Sequence, residues 1–351
     1  MQKKHQILKS WLKFAVLLYA IICIFSCNDN ISITSPEEPT GIPDSSFFEW
    51  DYKEINGYIL YDIAVYDTNK IYLLTPKGLI YYDGNTFTPF SVIDTVFWAS
   101  SFYVVDPNNI YVGGDDQSIQ TRNSKLRKWD GNNFSDISLP QDSSMGIDDI
   151  FAKSLNDIWL ATGYGKKVYH YDGISIATYN LQSRTTLPKI LLDSNNDLYL
   201  FGAEPTGSNT GIYFVYKFIG DNWTVYSSES YNSETGAGDF ATVLGNNIVR
   251  TSNDYLVKFN FVNAAWERLD TTNLPSVRIT AGGNSIHNIM CYAYNPVNYN
   301  HEVYLFTGEK WYKQGNYTGY GSSLYRIKNK YNNFYSFYDD PFSHLVIARY
   351  K

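Results

Sequence analysis

The chain has few of the side chains that most often perform catalysis or bind metal ions. Its 351 residues include three cysteines and five histidines. No His-Glu-x-x-His, Cys-x-x-Cys, Gly-x-Ser-x-Gly or phosphate-loop sequence occurs, which excludes the common zinc, redox, hydrolase and nucleotide-binding motifs. The sequence therefore predicts no cofactor and no metal site, and it favours a protein that is not an enzyme.

Clusters of basic residues are also lacking. The formal net charge is −7. Four lysines lie within the first 26 residues, and the rest of the chain carries 24 basic against 35 acidic side chains. Because phosphate groups are bound by clustered lysine and arginine, this acidic remainder argues against a nucleic acid partner and against contact with anionic lipid headgroups.

The apolar run near the N-terminus is too short to span a bilayer. It covers Phe14–Phe25 and follows a lysine-containing segment, which is the pattern of a secretion signal. The run leads into Ile24-Phe25-Ser26-Cys27, which resembles the lipoprotein box of bacterial envelope proteins. The resemblance implies lipid attachment at Cys27 and a protein anchored to the bacterial cell envelope, at the outer membrane on its periplasmic or its outer side. The alternative is an uncleaved membrane anchor.

Three segments are predicted along the chain. Residues 1–26 form a lipoprotein signal peptide, residues 27–46 a flexible tether and residues 47–351 a single β-propeller domain. The tether is assigned because this stretch is polar and contains proline. With Cys27 carrying lipid, Cys291 has no disulfide partner, and its strand-like surroundings predict a buried small hydrophobic residue.

A repeat with a period of roughly forty residues runs through the third segment. Its first anchor is Asn-x-Ile or a close variant, and its second is aromatic-x-Gly-x-x-aromatic. The anchor asparagines are assigned as Asn69, Asn108, Asn156, Asn196, Asn246, Asn284 and Asn332. The second anchor is clearest in Tyr82-Asp83-Gly84-Asn85-Thr86-Phe87 and Trp129-Asp130-Gly131-Asn132-Asn133-Phe134.

Both anchors are interpreted as turns between short β-strands, since Asn and Gly tolerate positive φ and Asp-Gly is a strong hairpin signal. Four short strands per repeat are typical of a β-propeller blade, whereas a β-sandwich or barrel needs no fixed period. The sequence predicts an all-β propeller of seven four-stranded blades, with six or eight as alternatives. A strand beginning near Phe47 is expected to complete the last repeat and close the ring.

The predicted binding face carries the long connections. The two anchors make short turns on one face, so the variation in loop length falls on the other, and insertions confined to one face of a repeat protein usually mark its binding surface. Acids and tyrosines in these loops suit a sugar or a wet protein interface. The predicted ligand-binding residues are Asp115, Asp116, Tyr164, Tyr294 and Asp339.

Several other residues are assigned structural roles. The run from Asp193 to Asp197 has the alternating oxygen side chains of a calcium loop but lacks its Gly and distal Glu, so a turn is predicted. His170 and His287 occupy aromatic positions of the strand pattern and are expected to pack in the core or at its rim. Most of the aromatic residues are expected to fill the space between blades.

Two segments resemble the repeats of a known family. They are Ile71-Tyr72-Leu73-Leu74-Thr75 with Gly78–Phe87, and Asp157–Thr162 with Val168–Gly173. Both are similar to the propeller repeats of periplasmic sensor regions in bacterial two-component regulators and of related surface lipoproteins. The resemblance implies a β-propeller with an extracytoplasmic ligand-binding role, and it carries no catalytic residue to this chain.

The preferred functional prediction is a lipid-anchored binding module for a glycan or a protein partner at the cell envelope. One alternative is a polysaccharide lyase or hydrolase, in which carboxylates from different blades would converge at the ring centre. The candidates for that role include Asp115, Asp116, Asp239, Glu302, Asp339 and Asp340. The other alternative is a scaffold subunit of an outer-membrane assembly.

Overall fold

The computed structural model describes residues 47–55, 58–76, 78–92, 97–116, 123–140, 146–208, 210–232, 241–252, 255–269, 279–294, 301–317, 325–330, 333–339 and 343–351. All regular secondary structure in these ranges is β-strand, which confirms the predicted all-β class. Within them, no helix has the length and apolar character needed to cross a membrane. The predicted signal peptide, the tether and Cys27 lie outside the described residues.

The first half of the domain contains 16 strands, which follow one another along the chain. The first nine are β1 (Phe48–Ile55), β2 (Asp62–Asp67), β3 (Lys70–Thr75), β4 (Gly78–Tyr82), β5 (Phe87–Val92), β6 (Phe97–Asp106), β7 (Asn109–Asp116), β8 (Asn123–Trp129) and β9 (Phe134–Ile137). The next seven are β10 (Ile147–Ser154), β11 (Asp157–Thr162), β12 (Gly165–Tyr171), β13 (Ile176–Leu192), β14 (Leu198–Pro205), β15 (Thr210–Ile219) and β16 (Asn222–Asn232).

The second half continues the same alternation of strand and short connection. Its strands are β17 (Ala241–Leu244), β18 (Asn247–Ser252), β19 (Tyr255–Asn260), β20 (Ala265–Arg268), β21 (Ile279–Ser285), β22 (Asn288–Tyr294), β23 (His301–Phe306), β24 (Trp311–Tyr317), β25 (Tyr325–Lys330), β26 (Asn333–Asp339) and β27 (Ser343–Tyr350). Every pairing between them is antiparallel.

The strands form five four-stranded sheets and one seven-stranded sheet. The four-stranded sheets are β2–β5, β6–β9, β17–β20, β21–β24 and the set β25, β26, β27 and β1. Strands β10–β16 form the larger sheet. The prediction of seven separate four-stranded blades is therefore wrong in its count. The described strands form five separate four-stranded sheets, and the sixth sheet has seven strands.

The cause of this difference is the length of β13, which has 17 residues. Its first part, from Ile176 to Asn180, pairs with β12. Its last part, from Lys189 to Leu192, pairs with β14. Between them the register shifts, and Leu187 has a φ of 49°, so the chain bends without ending the strand. A segment predicted as a connection between two blades is thus a continuous strand.

The first strands of the repeats contact one another in a closed cycle. Strand β2 contacts β6, which contacts β10, and the contacts continue through β13, β17, β21 and β25 back to β2. Within each sheet, the remaining strands follow the first strand outward from this ring in sequence order. The loop ends of the first strands therefore surround the centre of one face.

Strand β1 closes the ring, as predicted. It pairs with β27 from Phe48 opposite Tyr350 to Ile55 opposite Ser343. The Phe48 ring packs edge-on against Phe334 of β26 with centroids 5.6 Å apart. The N-terminal strand of the domain thus covers the edge that β27 would otherwise expose.

The core lies between neighbouring sheets. One cluster, for example, combines Ile71, Leu73 and Ile80 of β3 and β4 with Tyr335 and Leu345 of β26 and β27. The largest fully buried side chains are all tyrosines or phenylalanines. They are Tyr82, Tyr111, Tyr169, Tyr199, Tyr213, Tyr216, Tyr335, Phe201, Phe259, Phe306, Phe334 and Phe337. Packing of the aromatic residues between sheets is therefore confirmed. Cys291 is buried within one of these clusters, as expected.

The two sequence anchors meet in space in the first three repeats. Gly84 has a φ of 98°, and a Cβ on it would lie 3.0 Å from the side chain of Asn69. Gly131 stands in the same relation to Asn108, and Gly173 to Asn156. The glycine is required both by its positive φ and by the amide packed above it.

The sixth anchor is His287 and not Asn284. His287 lies in the two-residue turn between β21 and β22, and a Cβ on Gly308 would collide with its ring. The prediction that His287 occupies an aromatic position of a strand is therefore wrong, since the imidazole takes the place of the anchor amide. His170 does lie in a strand, where its ring stacks on Trp159 at 4.0 Å.

Substituting alanine for Gly173 is expected to lower the free energy of unfolding by about 2 kcal/mol, because the new Cβ adds backbone strain and would lie 2.7 Å from Asn156. Gly220→Ala is the matched control. Gly220 also has positive φ, 52°, but has no atom within 4 Å of its added Cβ, so its loss should be about half as large. Urea denaturation of both variants measures the difference. Equal losses would show that the contact with Asn156 is not important.

The carboxylate of Asp172 stabilises its turn only when ionised. Backbone N–H groups of Ser175 and Ile174 and the Ser175 hydroxyl donate to it at 2.7 to 2.8 Å. These bonds lower the pKa of Asp172 from 3.8 to about 2. Because the pKa is lower in the folded state, the stabilisation is complete above about pH 4 and is lost as the pH falls towards 2.

Asp172→Asn is expected to flatten the dependence of the free energy of unfolding on pH between about 4 and 2, because an amide oxygen accepts the same bonds but does not titrate. Urea titrations across this range compare the two proteins. A carboxyl-carbon NMR titration that placed the Asp172 pKa at its ordinary value would contradict the prediction.

Candidate functional site

The two faces of the domain differ in their connections. On the turn face, defined by the links from first to second and from third to fourth strands, six of the seven links from first to second strand have two residues. On the loop face, defined by the links from second to third strands and from fourth strands to the next repeat, the links are longer and more varied. This difference agrees with the distribution predicted from the repeat.

All five predicted ligand-binding residues lie on the loop face. Asp115 and Asp116 end β7, and Tyr164 lies in the turn between β11 and β12. Tyr294 ends β22 and Asp339 ends β26. They come from four repeats, so the structure places them on one face without gathering them at one point.

Their surroundings differ. Asp115 is buried, and the Asp116 carboxylate lies 3.8 Å from the ammonium of Lys125. Tyr164 is 64% exposed and has a φ of 52°. Asp115 and the turn that carries Tyr164 both border Gly146, whose carbonyl accepts a hydrogen bond from the N–H of Gly163. The ligand-binding role of these residues stays a prediction.

A group of exposed apolar side chains lies on the same face. Trp98 is 43% exposed and Leu187 45%. Tyr58 and Ile59, which precede β2, are also exposed. Together with Tyr164 they form what we call the apolar rim. The first four stand at or beside the loop ends of first strands, whereas Tyr164 lies between the second and third strands of its repeat. Exposed apolar side chains on one face typically mark an interaction surface.

Trp98 rests on a rigid support. The hydroxyls of Ser100 and Ser101 both donate to the carbonyl of Ile147, at 2.7 and 2.5 Å, and so tie β6 to β10 of the next repeat. Gly114 lets the backbone of Trp98 approach β7, since a Cβ there would lie 2.0 Å from the Trp98 carbonyl oxygen. The indole ring also lies 5.8 Å from the ring of Tyr61.

Leu187 is held in a similar way. The Asp149 carboxylate of β10 accepts the Lys189 ammonium at 2.6 Å and the N–H of Ile190 at 2.8 Å. These bonds fix β13 just after the bend at Leu187. The exposed side chain therefore projects from backbone that is tied to the neighbouring first strand, which lowers the entropy that a partner must remove on binding.

The Glu302 carboxylate is hydrogen-bonded to side chains of its own sheet. It is 3% exposed and receives the Tyr304 hydroxyl and the Lys313 ammonium, each at 2.5 Å. Burial and the neighbouring carboxylate raise the pKa of Tyr304 well above its usual range. Its sheet, β21–β24, is not a neighbour of the sheet β6–β9 that carries Asp115. Asp239 and Asp340 lie outside the described residues. Among the described residues, no group of three or more His, Cys, Asp or Glu could hold a metal ion.

Comparison with known proteins identifies the architecture. No protein-family model matches the chain, and no curated protein sequence does. Several solved structures are similar to the chain. YCF48 from Cyanidioschyzon merolae matches 84% of this chain and 98% of its own, at 15% identity and a TM-score of 0.60. The WD40 beta propeller domain of Doa1 matches 87% of this chain and 98% of its own, at 11% identity and a TM-score of 0.58. The fold is a β-propeller.

A third similar structure comes from a bacterium. It is the extracellular domain described as part of a one component or hybrid two component system of B. thetaiotaomicron. At 10% identity and a TM-score of 0.56, it matches 87% of this chain, which covers 40% of that longer chain. The similar structures thus include an extracellular domain of a bacterial two component system, and identities this low establish the fold alone.

The apolar rim was not predicted, apart from Tyr164. In a chain with 17% aromatic residues, a tryptophan at the start of a strand is most simply interpreted as packing between blades. The signal that could have identified Trp98 is its position, because it is the second residue of β6 and lies beside the loop-face connection from β5.

Proposed function

We propose that this propeller is a lipid-anchored binding module of the bacterial cell envelope and that its loop face binds a protein partner. The observation that carries the proposal is the apolar rim, in which Trp98, Tyr164 and Leu187 are exposed on firmly held backbone. Tryptophan and tyrosine are enriched among the residues that dominate binding energy at protein interfaces. Asp116, Tyr294 and Asp339, at the ends of other second strands, are proposed to supply polar contacts around it.

Similar propellers support a protein partner over a glycan for this face. YCF48 has been solved bound to the D1 peptide, with a TM-score of 0.61 to this chain at 12% identity. Another similar structure is described as BBS1N in complex with ARL6DN. In those proteins the propeller is part of a protein complex, and the apolar character of the rim suits the same use here.

We also infer that the ring functions as seven blades. The seven-stranded sheet would then be two blades joined through β13, whose first part pairs with β12 and whose last part pairs with β14. The closed cycle of seven first strands supports this count.

The lipid anchor is tested at Cys27. Cys27→Ser is expected to abolish incorporation of labelled palmitate and to release the protein from the membrane fraction, because the thiol is the acceptor that the lipoprotein box implies. Cys291→Ser is the matched control and should keep both properties. Palmitate incorporation that persists in Cys27→Ser would contradict the proposal.

The partner is tested by affinity capture from solubilised envelopes, quantified by mass spectrometry. The full chain is compared with the double variants Trp98→Ser/Tyr164→Ser on the loop face and Ile174→Ser/Val262→Ser on the turn face. Both Ile174 and Val262 are 94% exposed, so the second variant removes comparable apolar surface. A protein lost with the first variant and retained with the second supports the proposal, and retention by both contradicts it.

A further inference from the structure

A cleft of about 350 Å³ opens on the turn face, on the side opposite the apolar rim. One wall is the connection between β13 and β14, from Asp193 to Asp197. The other is the turn after β19, including Phe261 and Val262. The cleft thus lies between the repeat that ends with β16 and the repeat β17–β20, and its size falls within the usual range for small-molecule sites.

The cleft exists because one turn departs from the repeat. Strand β13 ends at Leu192 and β14 begins at Leu198, which leaves five residues where the other repeats have two. The Asp193 carboxylate is buried and accepts the N–H groups of Asn195 and Asp197 at 2.8 and 2.9 Å. This bonding confirms the prediction of a turn, and it gives the longer connection a defined shape.

Aromatic rings form the base of the cleft. The rings of Tyr199 and Phe261 lie 4.5 Å apart, and the Tyr226 hydroxyl fixes the second turn by donating to the Phe261 carbonyl at 2.5 Å. Val262, at the tip of that turn, is 94% exposed. Phe261 and Val262 therefore offer a small apolar surface beside the polar wall.

The polar groups around this surface are balanced in charge. The Lys217 ammonium lies 2.6 Å from the Asp197 carboxylate, and this bond raises the pKa of Lys217 well above its usual range. Lys258 and Asp193 also line the cleft, so its lining carries two ammonium groups and two carboxylates. Asn195 and Asn247 add neutral amides. The lining offers hydrogen-bond donors and acceptors without a net charge that would select an ion.

We propose that this cleft binds a neutral saccharide. A sugar ring has an apolar C–H face, which can pack on Phe261, and neighbouring hydroxyl groups, which can bond to the amides and to the ion pair of Asp197 and Lys217. A hydrophobic peptide would remove these polar groups from water without bonding to them, and a charged ligand would lack a counter-charge. The site is separate from the apolar rim and is independent of a partner there.

The test is a glycan array that carries neutral oligosaccharides of glucose, mannose and galactose together with uronic acid-containing chains. Four proteins are compared as full chains purified in detergent, namely the unmodified chain, Ser194→Trp, Asn132→Trp and Trp98→Ser. Ser194→Trp places an indole at the mouth of the cleft from an exposed turn position. Asn132→Trp places the same side chain on an exposed turn of the sheet β6–β9.

The proposal predicts that at least one neutral oligosaccharide binds the unmodified chain, that Ser194→Trp weakens this binding at least about tenfold, and that Asn132→Trp leaves it unchanged. The Trp98→Ser variant should bind as the unmodified chain does, which separates this site from the loop face. Binding to no neutral glycan, equal binding by Ser194→Trp, or preference for the acidic chains would each overturn the proposal.

Discussion

A chain that begins at residue 56 is expected to lose cooperative folding, whereas a chain that begins at Phe47 should keep it. The deletion removes β1, and with it the antiparallel partner of β27 along eight residue pairs. Phe48 and Ile55 are each 3% exposed, and burying such side chains contributes about 1.5–3 kcal/mol apiece. Because domains are typically stable by about 5–15 kcal/mol, losing these contacts and the strand pairing removes much of the total.

Circular dichroism during urea denaturation measures this effect on chains starting at residues 47 and 56. Two point variants separate side-chain packing from strand pairing. Phe48→Ala should cost about 3–5 kcal/mol, as removal of a buried phenylalanine does elsewhere. Tyr52→Ala, at a position 47% exposed in the same strand, should cost far less. A sharp unfolding transition in the chain from residue 56 would show that β1 is not needed to close the ring.

Single substitutions in the apolar rim are expected to weaken the protein partner's affinity by about 30-fold or more. Trp98→Ala and Tyr164→Ala each remove a large exposed ring from the loop face, and residues of this type in the centre of an interface cost about 2 kcal/mol or more when truncated. Asp116→Ala should change the affinity much less, since a charged group outside the centre of an interface contributes little to affinity. Calorimetric titration with the captured partner gives the three values.

Ile174→Ala is the control for this series, because it removes a side chain 94% exposed on the turn face. Its affinity should equal that of the unmodified chain. Unfolding midpoints must be unchanged in all four variants, so that the losses are assigned to binding. A larger loss with Ile174→Ala than with Trp98→Ala would place the interface on the other face.

Much of the fold was predictable because each anchor has a local cause. The positive φ of Gly84 and the Asn69 amide packed above it require a glycine and a turn-forming polar residue. The contact can therefore be recognised from the sequence. The same contact exposes the error at the sixth repeat, where an imidazole replaces the amide. A pattern based on asparagine alone selected Asn284, three residues too early.

The continuity of β13 could not be predicted. Leu187 followed by Pro188 has the character of a connection, since proline restricts the preceding residue and interrupts strand pairing. In the structure, the Asp149 carboxylate accepts hydrogen bonds from the Lys189 ammonium and the Ile190 N–H, and these bonds keep the segment extended. That contact joins residues 40 apart and has no local signature.

The five ligand-binding residues predicted from the sequence lie on the loop face, as expected. Most of the exposed apolar residues on that face were not predicted. Loop length follows from chain connectivity, which the repeat reveals. Exposure depends on tertiary packing, so Asp115 is buried whereas Trp98 is exposed. The cleft on the turn face has one feature visible in the sequence, the long turn from Asp193 to Asp197, but its opposite wall comes from Phe261 in the next repeat.

The most direct test of the loop-face interface is photocrosslinking in intact cells. A benzoyl-phenylalanine probe is placed in the full chain at position 164 and, in a separate strain, at position 174, which is also exposed but lies on the turn face. The proposed interface predicts a discrete crosslinked protein from position 164 and none from position 174. A product from position 174 alone, or equal products from both positions, would contradict it.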